Sequence, residues 1–368
     1  MALTKVLLFG AGVFLVCLSA AVTSAAVCDV ETAGKIMRMA DLYGIDSTGG
    51  DIWAVGPKGM IFHTVNMGKT WDLQETGIGN ELFSVSFADN HGWAVGRFGV
   101  VLHTEDRGEH WEVQQREIAD RKPSLYKVQF VNATTGWAVG EWGTIIHTVD
   151  GGKSWTSQSL LTATGEGEDI TGDESPEEEA ALDQPDDEGI FEEEFIEGDE
   201  AGDALVSAGD KFLYGLYFVN SECGWVVGES GTIGHTADGG NTWVLQESPQ
   251  GRKSLYSVYF RDVETGWACG IDGTIIYTND GGDTWNAASA VPTEESLYDV
   301  VLHEEVLWTV GKKGIILSSA DGGKTWKFGD NNPVVYYWLI DLVSAEGNLI
   351  IAGGHGAVLI SPDGGRTW

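Results

Sequence analysis

Positive charge is what this chain has least of. Its 368 residues carry 21 Lys and Arg against 56 Asp and Glu, a formal net charge of −35. A chain so acidic does not seek nucleic-acid phosphates or an anionic membrane surface. Cysteine is scarce too, with four in all and no close spacing, which excludes a disulfide framework and a zinc site. Long hydrophobic runs are missing except at the start, where Val6 to Val22 is uncharged and apolar. Lys5 precedes that run, and Ser24 and Ala26 follow it like the −3 and −1 positions of a signal peptidase site. The reading is an export signal over 1–26 and a mature protein that is periplasmic or secreted. An uncleaved anchor and a lipoprotein cut before Cys28 are the alternatives. Cys28, Cys223 and Cys269 remain after cleavage and read as buried or free thiols.

What the chain has in plenty is glycine, 51 residues, and tryptophan, 15 residues, which together suggest tight turns and large packing groups. Tryptophans closing one recurring string stand at Trp71, Trp111, Trp155, Trp243, Trp285, Trp326 and Trp368. The period is near 42 residues, apart from one gap of double length between Trp155 and Trp243. That period belongs to four-stranded propeller blades. In the copy spanning 124–158, "LYKVQF", "GWAVG", "GTIIHT" and "SWTSQ" read as four short strands, with a Gly-x-x-Gly hairpin between the second and third. Sheets of this kind bury their apolar faces by stacking radially. The expected fold is therefore all-β, one seven-bladed β-propeller over 27–368. The last copy stops at Trp368 without a fourth strand, and the first copy is preceded by spare chain. Residues around Lys35 to Met39 are expected to supply that strand and close the ring.

The recurring string is S/T-x-D-x-G-x-x-W. Its acidic position holds Asn66, Asp106, Asp150, Asp238, Asp280, Asp321 and Asp363. That side chain is expected to accept backbone N–H groups ahead of it, with the glycine two residues on at a positive φ and the tryptophan wedged between sheets. These strings resemble Asp-box (BNR) repeats. The fuller unit "LYxVxF…GWAVGxxGTIIHTxDGGxTW" is similar to the photosystem II assembly and stability factor family and to bacterial exported proteins carrying that domain. The resemblance covers about residues 38 to 368, apart from one insert. It implies a seven-bladed propeller acting as an assembly factor for membrane complexes. It also implies an arginine-rich patch in photosynthetic members, and here the mature chain has only eight arginines. A protein or membrane-complex partner outside the cytoplasm is thus expected, with another envelope complex or transporter as open as a photosystem. A monomer without cofactor or metal is expected.

Strand order puts the Asp boxes on one face of the disc and the Gly-x-x-Gly hairpins on the other. The hairpin tips differ in every blade, as a recognition ring would. Candidate partner-binding residues there are Lys58, Arg97, Phe98, Glu141, Trp142, Glu229, Asp272, Lys312, Lys313 and His355. Unrestrained drift of the tips is the plainer reading. The doubled gap contains an acidic insert over 163–210, with 19 acidic and no basic residues between Glu166 and Asp203. Such a segment is expected to be disordered. It reads either as a solvating spacer or as an arm for a basic partner anchored by Phe191 and Phe195.

An enzyme is the alternative class. Sialidases need three arginines on a substrate carboxylate, and the arginines at 107 and 366 lie inside Asp boxes. A glucanase needs two opposed carboxylates. Position three of the first strand reads Gly44, Ser84, Lys127, Gly215, Ser257, Asp299 and Asp341 across the blades. Asp299 and Asp341 are neighbours in that register and are the candidate pair, at the roughly 6.5–9.5 Å that an inverting glycosidase requires. The favoured reading is a binding and assembly scaffold without catalysis.

Overall fold

The computed structural model describes residues 30–114, 122–160, 211–329 and 331–368. The leader, the acidic insert with Phe191 and Phe195, and Cys28 lie outside the described residues. Among the described residues, seven antiparallel sheets are arranged as blades, six of four strands and one of three. In blade three the strands are Leu125–Phe130, Gly136–Gly140, Ile145–Thr148 and Thr156–Gln158, the four segments read from the sequence. The first strands of successive blades touch one another all the way round, from blade one to blade two and on to blade seven against blade one. The chain is a seven-bladed β-propeller.

Aromatic stacking joins blades one to five. Trp93 of blade two lies between His103 of its own third strand (centroids 5.0 Å) and Phe130 of blade three (3.4 Å). Trp155, the motif tryptophan of blade three, meets that Phe130 edge-on at 5.9 Å. Trp53, Trp137 and Trp225 repeat the arrangement with Phe87, Phe218 and Phe260. Each ring buries about 150–250 Å², worth at most about 4–6 kcal/mol at 25 cal/mol per Å² before ordering costs. The indoles also fix the distance between blades. Trp93 Nε1 donates to Gly151 O (3.0 Å) and Trp137 Nε1 to Gly239 O (3.1 Å), each in the motif loop of the next blade.

The motif loops owe their shape to one hydroxyl and one carboxylate. In blade five the Thr278 hydroxyl donates to Asp280 Oδ1 (2.7 Å) and accepts from Gly282 N (2.9 Å). Asp280 Oδ1 also accepts from Thr284 N (2.9 Å), four residues ahead. Gly282 sits at φ +91, where a Cβ is strongly disfavoured. Asn66 carries out the same role in blade one, accepting from Thr70 N at 3.0 Å.

Blade seven corrects one expectation. It has three strands, Leu339–Ala345, Asn348–Gly353 and Val358–Ser361, and residues 35–39 are not a fourth. They belong to a helix, α1 (Val30–Met37), and the turn after it. The reason is periodicity. Ala33, Ile36, Met37 and Ala40 recur at helical spacing, and Glu31 pairs with Lys35 one turn on at 2.7 Å. Met37 and Ala40 are buried in the cluster that joins blades one and seven, with Trp71, Ile350 and Ala352. Past the helix, Leu42 N–H donates to Gly353 O (3.2 Å) and Gly356 N–H to Ala40 O (2.7 Å).

Candidate partner-binding face

Each blade begins with leucine, buried completely in all seven cases: Leu42, Leu82, Leu125, Leu213, Leu255, Leu297 and Leu339. The next residue is Tyr43, Phe83, Tyr126, Tyr214, Tyr256, Tyr298 or Ile340. Strict alternation would turn this second side chain away from the channel that the third one lines. A β-bulge intervenes. In blade two the ladder pairs Leu82 with Gly96 and Ser84 with Val95, so Phe83 is skipped, and blades three to seven do the same. The extra residue re-aims its side chain. Positions two and three therefore both face the channel.

The result is a collar of six aromatic rings that sequence reading missed. Neighbouring centroids are 5.9 Å apart for Tyr43–Phe83, 5.7 Å for Phe83–Tyr126 and Tyr126–Tyr214, 5.5 Å for Tyr214–Tyr256 and 5.7 Å for Tyr256–Tyr298. Trp338 stacks on Tyr43 at 5.9 Å beside Ile340, the one member without a ring. The collar rims a cavity of about 270 Å³ whose deeper wall includes Lys127, Ser257, Asp299 and Asp341.

The polar floor is knitted from blade to blade. Asp341 Oδ2 accepts from Ile45 N (2.8 Å), Asp46 Oδ2 from Phe87 N (2.6 Å), and Asp299 Oδ2 from Leu342 N (2.8 Å). Ser84 and Gln129 play the same part, accepting from Val128 N (3.3 Å) and Phe218 N (2.7 Å). These carboxylates satisfy free N–H groups of the neighbouring inner strand. Lys127 Nζ pairs with Asp341 Oδ1 at 3.0 Å. Burial raises the carboxyl pKa of Asp46 to about 7, against the pull of the amides of Phe87 and Ser47. Burial, and then the adjacent Asp341, push Asp299 upward as well. Burial opposes the charge on Lys127, but Asp341, Asp299 and Asp46 outweigh it and hold its pKa above the usual value.

That geometry gives the two channel carboxylates a structural role. Asp299 and Asp341 are neighbours, as their register requires, but each is committed to an amide, Asp299 to Leu342 N and Asp341 to Ile45 N. An inverting hydrolase keeps its pair roughly 6.5–9.5 Å apart to admit a water. Here each carboxylate is instead engaged with the backbone of the next blade.

Around the collar stand the hairpins. Phe98 and Trp142 are 58% and 43% exposed, as expected, on adjacent blades. The Arg97 guanidinium lies over the Phe98 ring at 5.1 Å and reaches Glu81 at 3.6 Å. Lys58 and Lys312 are exposed. Asp272 faces Lys253 at 3.7 Å, and Lys313 pairs with Glu295. His355 stacks on Tyr337 (4.0 Å), and Tyr336 is 83% exposed beside it. Two predicted contact residues point inward instead. Glu141 accepts from Ser124 N (2.8 Å) and the Tyr126 hydroxyl (3.3 Å), and Glu229 accepts from Phe212 N (3.2 Å). Both brace their hairpins against the blade-to-blade connection.

The two glycines of each hairpin do different work. Their first glycine is extended, and a Cβ on Gly96 would lie 1.9 Å from Glu81 O. Positive φ falls on the second glycine and on the residue before it: Lys58, Phe98, Trp142, Ser230, Asp272, Lys313 and His355 lie between +51° and +59°.

Two groupings with metal-ligand chemistry were not foreseen. His91, His103 and Glu105 bring donor atoms within 4.8 Å of one another, as do Asp106, Glu109 and His110. His91 Nδ1 and His103 Nε2 are 3.3 Å apart, and burial lowers the His103 pKa. Cys223 and Cys269 are free thiols.

Comparison with known proteins agrees with the architecture. The family described as photosynthesis system II assembly factor YCF48 matches residues 26–119 and 247–333. A solved structure described as YCF48 bound to D1 peptide is 19% identical, covering 88% of this chain and 91% of its own, with a TM-score of 0.64. YCF48 from Cyanidioschyzon merolae is 17% identical over 87% and 94%, again at 0.64. The WD40 propeller domain of Doa1 follows at 12% identity and 0.59, over 89% and 95%. Comparison with curated proteins gave no match. In its matched stretches and its fold, this seven-bladed propeller is similar to the photosystem II assembly factor YCF48.

Proposed function

We propose that the chain is a non-catalytic assembly scaffold that docks an extended segment of a protein partner on its hairpin face. The observation that carries this reading is the aromatic collar, extended outward by Phe98, Trp142, Tyr336 and Tyr337. Apolar surface of that kind, rimmed by charge, marks interaction sites. A relative is described as bound to a peptide, which supports a peptide ligand here. The collar also limits the shape of the ligand. Six rings in series are spaced 5.5–5.9 Å apart, which in a regular seven-membered ring corresponds to roughly 13 Å across between centres. Its clear opening is narrower than the about 10–12 Å diameter of an α-helix with side chains. An extended strand or a single side chain fits.

The acidic stretch 163–210, Phe191 and Phe195 included, adds contacts beside this face in our reading. The described chain resumes there, with Gly143 N–H of the blade-three hairpin donating to Lys211 O at 2.6 Å. Export, read from the leader pattern, puts the partner outside the cytoplasm, and the working form is a monomer. A photo-crosslinking side chain at position 98 or 142, compared with one at Val149 among the motif loops, tests the face. Protein adducts from 98 and 142 but not 149 are expected. Adducts from 149 alone, or from none of the three, overturn the reading.

A further inference from the structure

We propose that the channel mouth is a receptor for one cationic side chain, an arginine or lysine carried on the partner's extended segment. The inference rests on the reading that the partner docks at this face and names the chemistry that seats it. Three features converge. The collar supplies aromatic rings, whose faces attract cations, and Arg above all. The cavity lining supplies carboxyl groups from two blades, Asp299 and Asp341, and Asp46 adds its electrostatic influence on the same Asp341 and Lys127. Lys127 is the one floor cation among the described residues, and it is matched to Asp341. Asp46 and Asp299 carry no ion pair of their own among the described residues; their partners are amide N–H groups and the Ser257 hydroxyl (2.6 Å).

Other occupants fit worse. An anion would meet two lining carboxyls and the field of a chain with net charge −35. An apolar side chain would strip water from the floor and give it nothing in return. A guanidinium fits a cavity of about 270 Å³, stacks against ring faces and offers five N–H donors to the acids beneath. The surrounding charge also steers a basic segment toward the mouth.

The test is calorimetric titration of the full-length protein with short Gly-Ser peptides. One carries a single central arginine, and others carry lysine, citrulline or glutamate at that place. Citrulline keeps the shape of arginine and removes its charge. The arginine peptide is expected to bind at least tenfold more tightly than the citrulline or glutamate peptide. Tyr256→Leu and Asp299→Asn are each expected to weaken the arginine peptide about fivefold to thirtyfold and to leave citrulline binding unchanged. Tyr298→Leu serves as a second collar variant, with near-ultraviolet circular dichroism as the check on folding. Equal binding of arginine and citrulline, undetectable binding of arginine at millimolar concentration, or folded variants that bind like the parent each overturn the proposal. Crosslinking from positions 98 and 142 does not depend on peptide charge. If it persists while the arginine preference fails, the cation receptor falls and the docking face stands.

Discussion

Seven non-glycine residues at positive φ, one per hairpin, all lie on one face. A left-handed conformation costs an ordinary L-residue about 1–2 kcal/mol. Phe98 and Trp142 bear that strain while leaving large rings in solvent, and strain of this sort gathers where a molecule binds. Phe98→Gly is therefore expected to stabilise the fold by about 1 kcal/mol, raising Tm by a few degrees, while reducing partner crosslinking from position 142. A melt at or below the parent Tm would show that the Arg97 stack outweighs the strain. The sequence made the hairpin tips legible as variable and exposed. It hid which residues take positive φ, because the glycines drew attention to themselves. The close approach of Gly96 to Glu81 O depends on a neighbouring blade that local spacing does not reveal. The collar was equally hidden. Its signal, an aromatic after the first leucine in six of seven copies, was present, but period-two alternation pointed those rings the wrong way until the bulge corrected them.

At the scale of elements, the junction of blades one and seven differs from every other. Ile350 stands where six blades have a tryptophan, so this boundary lacks the indole. Helix α1 compensates with Ala33 and Met37, which are 0% and 4% exposed. Met37→Ala is expected to cost about 2–5 kcal/mol, the usual range for emptying a buried methionine site. Urea unfolding would read the loss, and hydrogen exchange should rise first in blades one and seven. Faster exchange in blade four instead would contradict this placement of the weak seam. Counting residues between repeats located this segment correctly but mistook its conformation. The i, i+3, i+4 spacing of Ala33, Ile36 and Met37 carried the answer.

For the whole molecule, the buried acids of the channel set a dependence on pH. An acid whose pKa is higher folded than unfolded binds more protons in the folded state, so stability falls as pH climbs between the two values. For Asp46 that window runs from about 4 to about 7, and Asp299 acts in the same direction. Motif-loop aspartates act oppositely and lower down. The Thr325 hydroxyl and amide hold Asp321 at about 2, so its small, solvent-screened contribution is lost only in strong acid. Tm should peak near pH 5 and decline toward pH 8. Self-repulsion of the acidic chain adds to that decline, so the informative quantity is the difference between proteins. Asp46→Asn should flatten the slope between pH 5 and 8, and an unchanged slope would remove Asp46 as its source. Blade number was legible because each repeat carries its own boundary marks. The ionisation of the floor was not, since it depends on side chains from blades one, three, six and seven meeting in one place.

The bulge at the start of the inner strand in blades two to seven separates two demands that most strand residues must meet together. The leucine before it is committed to the core, and the residue in it is not. Each of these blades thereby presents one address at the channel mouth that can be rewritten without disturbing the framework. Such a mouth can acquire a new ligand by single replacements, blade by blade, while the ring that displays it stays the same.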